Sequence, residues 1–254
     1  MVTRKLLQVL PTADASIARF NALCQKLYWP ALSKIGLTPK STDAHSETLL
    51  RTILLRLLAN AKHPNVIPHL QALFADKDKN PIPADLRGAV YVRNGGETGF
   101  NQLVELLVSE DAVERSVVLR SLGTTPDVKL VDKLIALLLS DKVRNQDCIY
   151  PFIALASNTK AGDALLHNLT SRWNEVSKKM PTMMLSSVIG SLGALGQSKY
   201  IAAVEEFWKT LSPESRQPIE RSYQQALEGI KLQSAWVARD AQSAADYLET
   251  VNVA

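Results

Sequence analysis

The chain has 254 residues, of which 46% are apolar and 21% are charged, and its formal net charge is +4. This composition is typical of a globular protein with a sizeable core and argues against a disordered chain. Basic and acidic residues are interleaved without a block of one sign, so we expect no nucleic-acid-binding stripe. Aromatic residues make up only 6% and there are 11 glycines, which favours helices over a β-sandwich.

The N-terminal third of the chain has a helical hydrophobic period. In ASIARFNALCQKLY the apolar residues recur on one face of a helix. Pro30 is expected to stop this helix and to open a short second one that ends at Gly36. The next segment, SETLLRTILLRLLANA, is apolar on nearly every side, so we expect it to lie between neighbouring helices.

Several later helices begin at a proline or at a polar cap. PNVIPHLQALFADK starts at Pro64, and PADLRGAVYVRNGG starts at Pro83. DAVERSVVLRSLG is predicted to be a helix with Asp111 as its N-cap and Gly123 at its end. The stretch GSLGALG at 190–196 lies in an apolar helical pattern with no preceding strand. Its glycines therefore indicate close helix packing and not a phosphate-binding loop.

The whole pattern predicts an all-α fold. Helix pairs recur roughly every 35 to 45 residues, the interval of helical solenoids, and they share no obvious consensus. We therefore expect a HEAT/armadillo-like right-handed α-superhelix of antiparallel helix pairs. Residues 16–254 would form one solenoid domain, and residues 1–15 would continue from a preceding domain or arm.

The sequence contains no self-sufficient catalytic or metal-binding motif. The four histidines form no H-E-x-x-H pair, and there is no G-x-S-x-G nucleophile elbow. The two cysteines, Cys24 and Cys148, each sit in an apolar helical context and are expected to be buried free thiols. We therefore predict no catalytic residue, no metal ligand and no cofactor in this chain.

The N terminus and the apolar segments indicate the compartment. The apolar run in MVTRKLLQVLPTADAS is too short for a signal peptide. Every apolar stretch is shorter than the ~20 residues that span a bilayer. We expect a cytoplasmic protein that binds neither a membrane nor nucleic acid.

The polar cluster in DKVRNQDCIYPFIALASNTKAG is the main candidate site. In a structural interpretation, Asn145 is the N-cap of the following helix, and Gln146 and Asp147 lie in its first turn. Capping does not explain Arg144, whose planar guanidinium beside a helix N-terminus could bind a carboxylate or a main-chain carbonyl. From the residues alone, both a structural role and a ligand or interdomain contact remain open.

Several short stretches, in order along the chain, carry a family resemblance. They are PADLRGAVY at 83–91, DKVRNQD at 141–147, Trp173 in LTSRWNEV, IKLQSAWVARD at 230–240 and DYL at 246–248. Together they resemble the C-terminal helical domain of the gluzincin zinc aminopeptidases, and the similarity is closest to the puromycin-sensitive type. The resemblance extends from about residue 16 to residue 250.

This resemblance implies a role without hydrolysis. In that family the domain is a bowl of HEAT-like and armadillo-like helices that closes over a thermolysin-like catalytic domain and contacts the distal part of peptide substrates. The family's G-A-M-E-N and H-E-x-x-H motifs do not occur in this sequence. The zinc ion would therefore be held by the associated catalytic domain. That domain would be either part of the same polypeptide (in cis) or a separate chain (in trans).

The resemblance also extends the set of candidate contact residues. In some relatives a basic residue lies near the end of the helix at 146–157; here Ser157 stands in that region and Lys160 follows it. Arg87 and Tyr91 form a second candidate cluster on the PADLRGAVY helix. We therefore expect peptide or interdomain contacts at Arg144, Gln146, Asp147, Lys160, Arg87 and Tyr91.

Two alternatives remain open from the sequence. Arg87 could instead pair with Asp85 or Asp147 and tie adjacent repeats together. The whole chain could also be a free-standing HEAT-like adaptor that binds a partner protein on its concave face.

Overall fold

The computed structural model describes residue 10, residues 14–92 and residues 96–252. These residues form α-helices joined by turns and single 3₁₀ turns, and no β-strand occurs within them. The predicted all-α fold class is confirmed. The helices are α1 (Asp14–Ile35), α2 (His45–Asn60), α3 (Val66–Ala75), α4 (Ala84–Val92), α5 (Gly96–Glu105), α6 (Ala112–Leu122), α7 (Lys129–Leu139), α8 (Ile149–Ala156), α9 (Gly162–Lys179), α10 (Thr182–Ser191), α11 (Lys199–Thr210), α12 (Pro213–Arg216) and α13 (Glu220–Thr250).

The described residues divide into two compact units. The first unit contains residues up to 92 together with residues 239–252, and the second contains residues 96–238. The single solenoid from residue 16 and the handedness of a superhelix remain predictions. Most of the proposed N-terminal segment, residues 1–9 and 11–13, lies outside the described residues.

The first unit is built around α2. This helix packs against α1, α3 and α4, as its nearly all-round apolar pattern predicts. Leu54, Leu55 and Leu58 are buried on its packed sides, whereas Leu49 and Ile53 remain exposed. The expected position between neighbouring helices is therefore confirmed, with one side of α2 left uncovered by described residues.

The prediction that Pro30 stops the first helix is wrong. Pro30 lies inside α1, which continues to Ile35 and ends where Gly36 takes a left-handed backbone φ of 86°. A proline removes one backbone donor and crowds the preceding turn, but burial of Leu32 beyond it favours continuing the helix. Tertiary packing therefore outweighs the local signal.

The end of the chain completes the core of the first unit. Arg19 Nη1 donates to the carbonyl oxygens of Leu248 at 3.4 Å and Glu249 at 3.2 Å. Leu248 is buried in one apolar cluster with Phe20 and Cys24. The last turns of α13 are thus fixed against α1.

The second unit consists of two rows of helices. In one row, α8 packs between α6 and α10; in the other, α9 packs between α7 and α11. Successive helices along the chain therefore alternate between the rows, which is the arrangement that stacked helix pairs produce.

Two glycine positions allow close approach of backbones in this unit. A Cβ atom at Gly123 would lie 2.6 Å from the Cβ of Ala154 and 2.7 Å from the carbonyl oxygen of Pro151. A Cβ at Gly229 of α13 would lie 2.9 Å from the Cα of Gly193. The predicted packing role is confirmed for Gly193, and Gly123 allows the end of α6 to contact α8 directly.

Some of the predicted helix ends are also confirmed. Asp111 is the N-cap of α6, because its carboxylate accepts a hydrogen bond of 2.8 Å from the Val113 amide, and Gly123 follows the last residue of α6.

None of the helices in the described ranges combines the length and the apolar character needed to cross a bilayer.

Candidate functional site

The polar candidates sit in a tight turn between α7 and α8, which we call the 144–147 turn. Arg144 has an extended backbone, and residues Asn145–Asp147 form a single 3₁₀ turn closed by the Asp147 amide, which donates to the Arg144 carbonyl at 2.9 Å. Asn145 is inside this turn and makes no side-chain cap, so its predicted N-cap role is wrong. Helix α8 begins at Ile149, after this 3₁₀ turn, and not at residue 146.

Two buried side chains hold the turn in place. Val143 is 3% exposed and Cys148 is 1% exposed, and they flank the turn on either side. The Cys148 thiol also donates to the Leu138 carbonyl at 3.3 Å. Arg144, Asn145 and Gln146, which lie between these two buried residues, are exposed.

Asp147 is the exception, because its side chain points inward. It is 8% exposed and faces Arg115 of α6, which is 7% exposed. The Arg115 Nε and Asp147 Oδ2 atoms are 3.9 Å apart, which is an ion pair but too long for a hydrogen bond. Burying two charges is tolerated only when they are paired, so this contact orients the turn toward α6.

Arg115 is incompletely satisfied by the described residues. Its Nη1 donates to the Ser109 carbonyl at 2.6 Å. Its buried Nε has no hydrogen-bond partner in the part of the chain that the structure describes. A buried donor of this kind costs free energy unless water or a ligand accepts from it.

A cleft opens beside this ion pair, and we call it the Arg115 cleft. Its volume is about 140 Å³, and Val143 and Leu119 form part of a buried apolar wall. Val108, which is 88% exposed, stands at the rim. The charged residues that line the cleft are Glu110, Arg115, Lys142, Arg144 and Asp147.

The predicted residues of this region fall into two groups. Arg144 and Asp147 both line the Arg115 cleft. Gln146 and Lys160 are exposed and are not among its lining residues. Lys160 follows α8, where its amide donates to Asn158 Oδ1 at 3.2 Å, so it lies at the opposite end of that helix from the turn.

Arg87 and Tyr91 belong to the first unit and form a separate candidate. Both lie on α4, where Arg87 is half-buried and Tyr91 is 2% exposed. The Tyr91 ring packs edge-on against Phe74, with centroids 6.1 Å apart. The ring therefore contributes to the core of this unit. A contact role for these two residues remains a prediction.

Burial shifts the pKa of both thiols and of two histidines. The expectation of buried free thiols is confirmed, and burial raises the pKa of both Cys24 and Cys148 to about 11. Burial also lowers the pKa of His63, which stacks on Trp29, and of His69. Within residues 14–92 and 96–252, no group of three or more His, Cys, Asp and Glu side chains is placed to hold a metal ion.

Arg115 is not among the site residues predicted from the sequence, although the helical spacing around it indicates that it is buried. It precedes Val118, Leu119 and Leu122 at spacings of three, four and seven residues, so it lies on the buried face of α6. An arginine at such a position needs a buried partner. The sequence could not show that this partner is Asp147, because the two residues meet only in the folded second unit.

Comparison with known proteins gives the family of the chain. A family model described as ERAP1-like C-terminal domain matches residues 2–232. Among similar curated proteins, Aminopeptidase M1 of Arabidopsis thaliana is 26% identical over 223 residues, covering 82% of this chain and 24% of that protein. Aminopeptidase 2 of Candida albicans is 28% identical over 231 residues, covering 86% and 24%.

A third relative has the same extent of similarity. Aminopeptidase 2, mitochondrial, of Saccharomyces cerevisiae is 26% identical over 226 residues, covering 85% of this chain and 23% of that protein. The chain thus spans about a quarter of the length of the curated relatives it matches. With most of its length matched by one family model, the chain belongs to the ERAP1-like C-terminal domain family.

Proposed function

We propose that this chain is the non-catalytic C-terminal domain of a zinc aminopeptidase of the puromycin-sensitive type. The observation that carries the proposal is the family match over residues 2–232, together with relatives that are named aminopeptidases and are about four times as long. Peptide hydrolysis and the zinc ion would belong to the catalytic domain, which is the partner of this chain in cis or in trans. The compartment would be the cytoplasm, and neither a membrane nor nucleic acid would be bound.

The proposed role is to close over the active-site chamber and to contact the distal part of the peptide. The 144–147 turn supports a contact role, since it exposes Arg144 at the rim of a cleft that contains an unsatisfied buried donor. Val143 and Cys148 on the two flanks of the turn are buried, which holds the turn in a defined position. Arg144, Gln146, Asp147 and Lys160 remain the proposed contact residues in the second unit, and Arg87 and Tyr91 those in the first.

The first test concerns the association with a catalytic domain. The intact mass of the native protein is expected to be much larger than the 27.9 kDa of this chain, or the chain is expected to co-purify with a catalytic partner. The purified chain is expected to show no turnover of aminoacyl-naphthylamides with or without added zinc. Robust turnover by the chain alone would refute the proposal, and a free protein of 27.9 kDa without an aminopeptidase partner would favour the adaptor function.

The second test concerns the peptide contact. In the full enzyme, Arg144→Ala is expected to raise KM for long peptides several-fold and to leave KM for dipeptide surrogates unchanged, because only long peptides reach this domain. Lys178→Ala is the matched control, since it removes one positive charge from an exposed side chain of α9 that does not line the cleft. Equal effects of Arg144→Ala on short and long substrates would contradict the contact role.

A further inference from the structure

We propose that the Arg115 cleft binds a side-chain carboxamide, as in glutamine or asparagine, of the bound peptide. This inference deepens the proposed function and rests on it, because it names the group that the 144–147 turn would recognise. Three features of the cleft carry the inference: an unsatisfied donor facing a carboxylate, the mixed charge of the lining, and the space beside an apolar wall.

The first feature is the separation of Arg115 and Asp147. Nε of Arg115 has no hydrogen-bond acceptor among the described residues, and it faces Oδ2 of Asp147 at 3.9 Å, too far for a hydrogen bond. The pair therefore offers one free N–H donor and one carboxylate acceptor side by side. A carboxamide has a carbonyl oxygen that accepts and an NH₂ group that donates on neighbouring atoms, so a single ligand group can satisfy both.

The second feature is the charge of the lining. Three cationic side chains, Arg115, Lys142 and Arg144, face the same cleft as the carboxylates of Glu110 and Asp147. A ligand ammonium group would be repelled by the three cations. A ligand carboxylate would lie against Asp147, which is buried. A neutral group with a strong dipole satisfies both signs and adds no charge to a buried site.

The third feature is the size and character of the space. One water molecule takes up roughly 30 Å³, and the cleft has about 140 Å³, so a single bridging water would leave most of it unfilled. Leu119 and Val143 form buried apolar surface next to the charged pair. That surface suits the methylene groups of a glutamine side chain, whose amide would then reach Arg115 and Asp147.

The test measures binding to the full 254-residue chain by methyl NMR, with the signals of Val108 and Val143 as reporters. The probes are acetyl-Ala-X-Ala N-methylamides with X as Gln, Glu, Lys or Met, in which only the Gln peptide has a primary amide. The Gln peptide is expected to bind about tenfold more tightly than the other three, the difference typical of one hydrogen bond to a charged group. Equal binding of the Gln and Met peptides would mean that only main-chain groups are recognised and would overturn the inference.

Two variants separate recognition from folding. Asp147→Asn is expected to abolish the preference for Gln over Glu, whereas Asp141→Asn, in the same loop but not lining the cleft, is expected to retain it. Val108→Trp is expected to block the cleft and to weaken Gln-peptide binding about tenfold. Because Val108 is 88% exposed, this substitution leaves the core intact even if Asp147→Asn unfolds.

The two proposals fail in different ways. An unchanged Gln preference in both Asp147→Asn and Val108→Trp would overturn the carboxamide inference and would leave the aminopeptidase assignment untouched. Turnover of naphthylamides by the chain alone would instead overturn the proposed function, whatever the peptide affinities.

Discussion

Two arginines that are buried among the described residues, Arg51 and Arg115, differ in how many of their guanidinium nitrogens have a hydrogen-bond acceptor. Arg51 in the first unit is 1% exposed and uses all of its guanidinium nitrogens: it donates to Gly36 O at 2.9 Å, Ile35 O at 3.0 Å and Asp43 Oδ2 at 2.6 Å. Arg115 in the second unit makes one hydrogen bond and faces its carboxylate at 3.9 Å. Arg51 thus has a structural role that its hydrogen bonds fully account for, whereas the unpaired Nε of Arg115 is the basis of the proposed ligand site.

Removal of Arg51 should have the largest effect. Arg51→Met leaves the carbonyls at the end of α1 without their donors, and we expect it to lower the local free energy of unfolding by about 3 kcal/mol. Hydrogen exchange of the α1 and α2 amides measures this locally, which suits a chain with two units. A loss below about 1 kcal/mol would show that the hydrogen bonds of Arg51 are not what holds the end of α1.

The contact between the end of α6 and α8 is expected to have the next largest effect on stability. Gly123→Ala would place a Cβ atom 2.7 Å from the Pro151 carbonyl, so α8 would have to shift. We expect a loss of about 2 kcal/mol in the second unit, as for other overpacked positions. Binding of the Gln peptide should weaken as well, because the 144–147 turn immediately precedes α8.

Gly190→Ala is the matched control for this substitution. Gly190 lies in α10, and its nearest neighbour to an added Cβ, the Ser222 Cβ, is 4.0 Å away. Alanine is expected to stabilise this helical position by about 0.5–1 kcal/mol. Equal effects of the two substitutions, measured by thermal unfolding, would contradict the close approach at Gly123.

Removal of Arg115 should cost less than removal of Arg51. Arg115→Met loses one hydrogen bond to Ser109 and a long ion pair, and we expect a loss of about 1–2 kcal/mol by hydrogen exchange of the α6 and α8 amides. Its effect on Gln-peptide binding should be larger than its effect on stability. A stability loss equal to that of Arg51→Met would remove the distinction between the two arginines.

The sequence predicted the elements of this fold better than the contacts between them. The helical period, the Asp111 cap and the end of α6 at Gly123 depend on residues close in the chain, and they are confirmed. Pro30 and Asn145 also gave local signals, but burial of Leu32 and the packing of Val143 and Cys148 outweighed them. Local propensity is therefore a guide only where tertiary packing agrees with it.

The candidate site was predicted only in part for the same reason. The polar run at 141–147 indicated Arg144 and Asp147, and both line the Arg115 cleft. Periodicity places Arg115 on a buried face but does not name its partner, which lies 32 residues away. The pairing depends on how α6 and the 144–147 turn meet, and one sequence does not contain that information.

The smallest expected effect is the pH dependence of stability that comes from the contact between Asp43 and Arg51. The hydrogen bond from Arg51, followed by that from the Lys40 amide, holds the pKa of Asp43 below its ordinary value of 3.8. Folding therefore favours the ionised carboxylate, so this contribution is fully present above about pH 4 and is lost as pH falls through the lower, folded value. The α1 and α2 amides of the first unit should therefore lose protection against hydrogen exchange below pH 4.

Asp43→Asn isolates this contribution from the rest of the acid response. Asparagine keeps an oxygen that accepts from Arg51 and Lys40, so the fold is retained and only the charge is lost. The variant should show a shallower decline of α1 and α2 protection between pH 4 and pH 2, whereas Asp78→Asn, at a side chain that is 84% exposed, should decline as the wild type does. An unchanged slope in Asp43→Asn would mean that charge contributes little at Arg51, and the contrast with Arg115 would then rest on hydrogen-bond geometry alone.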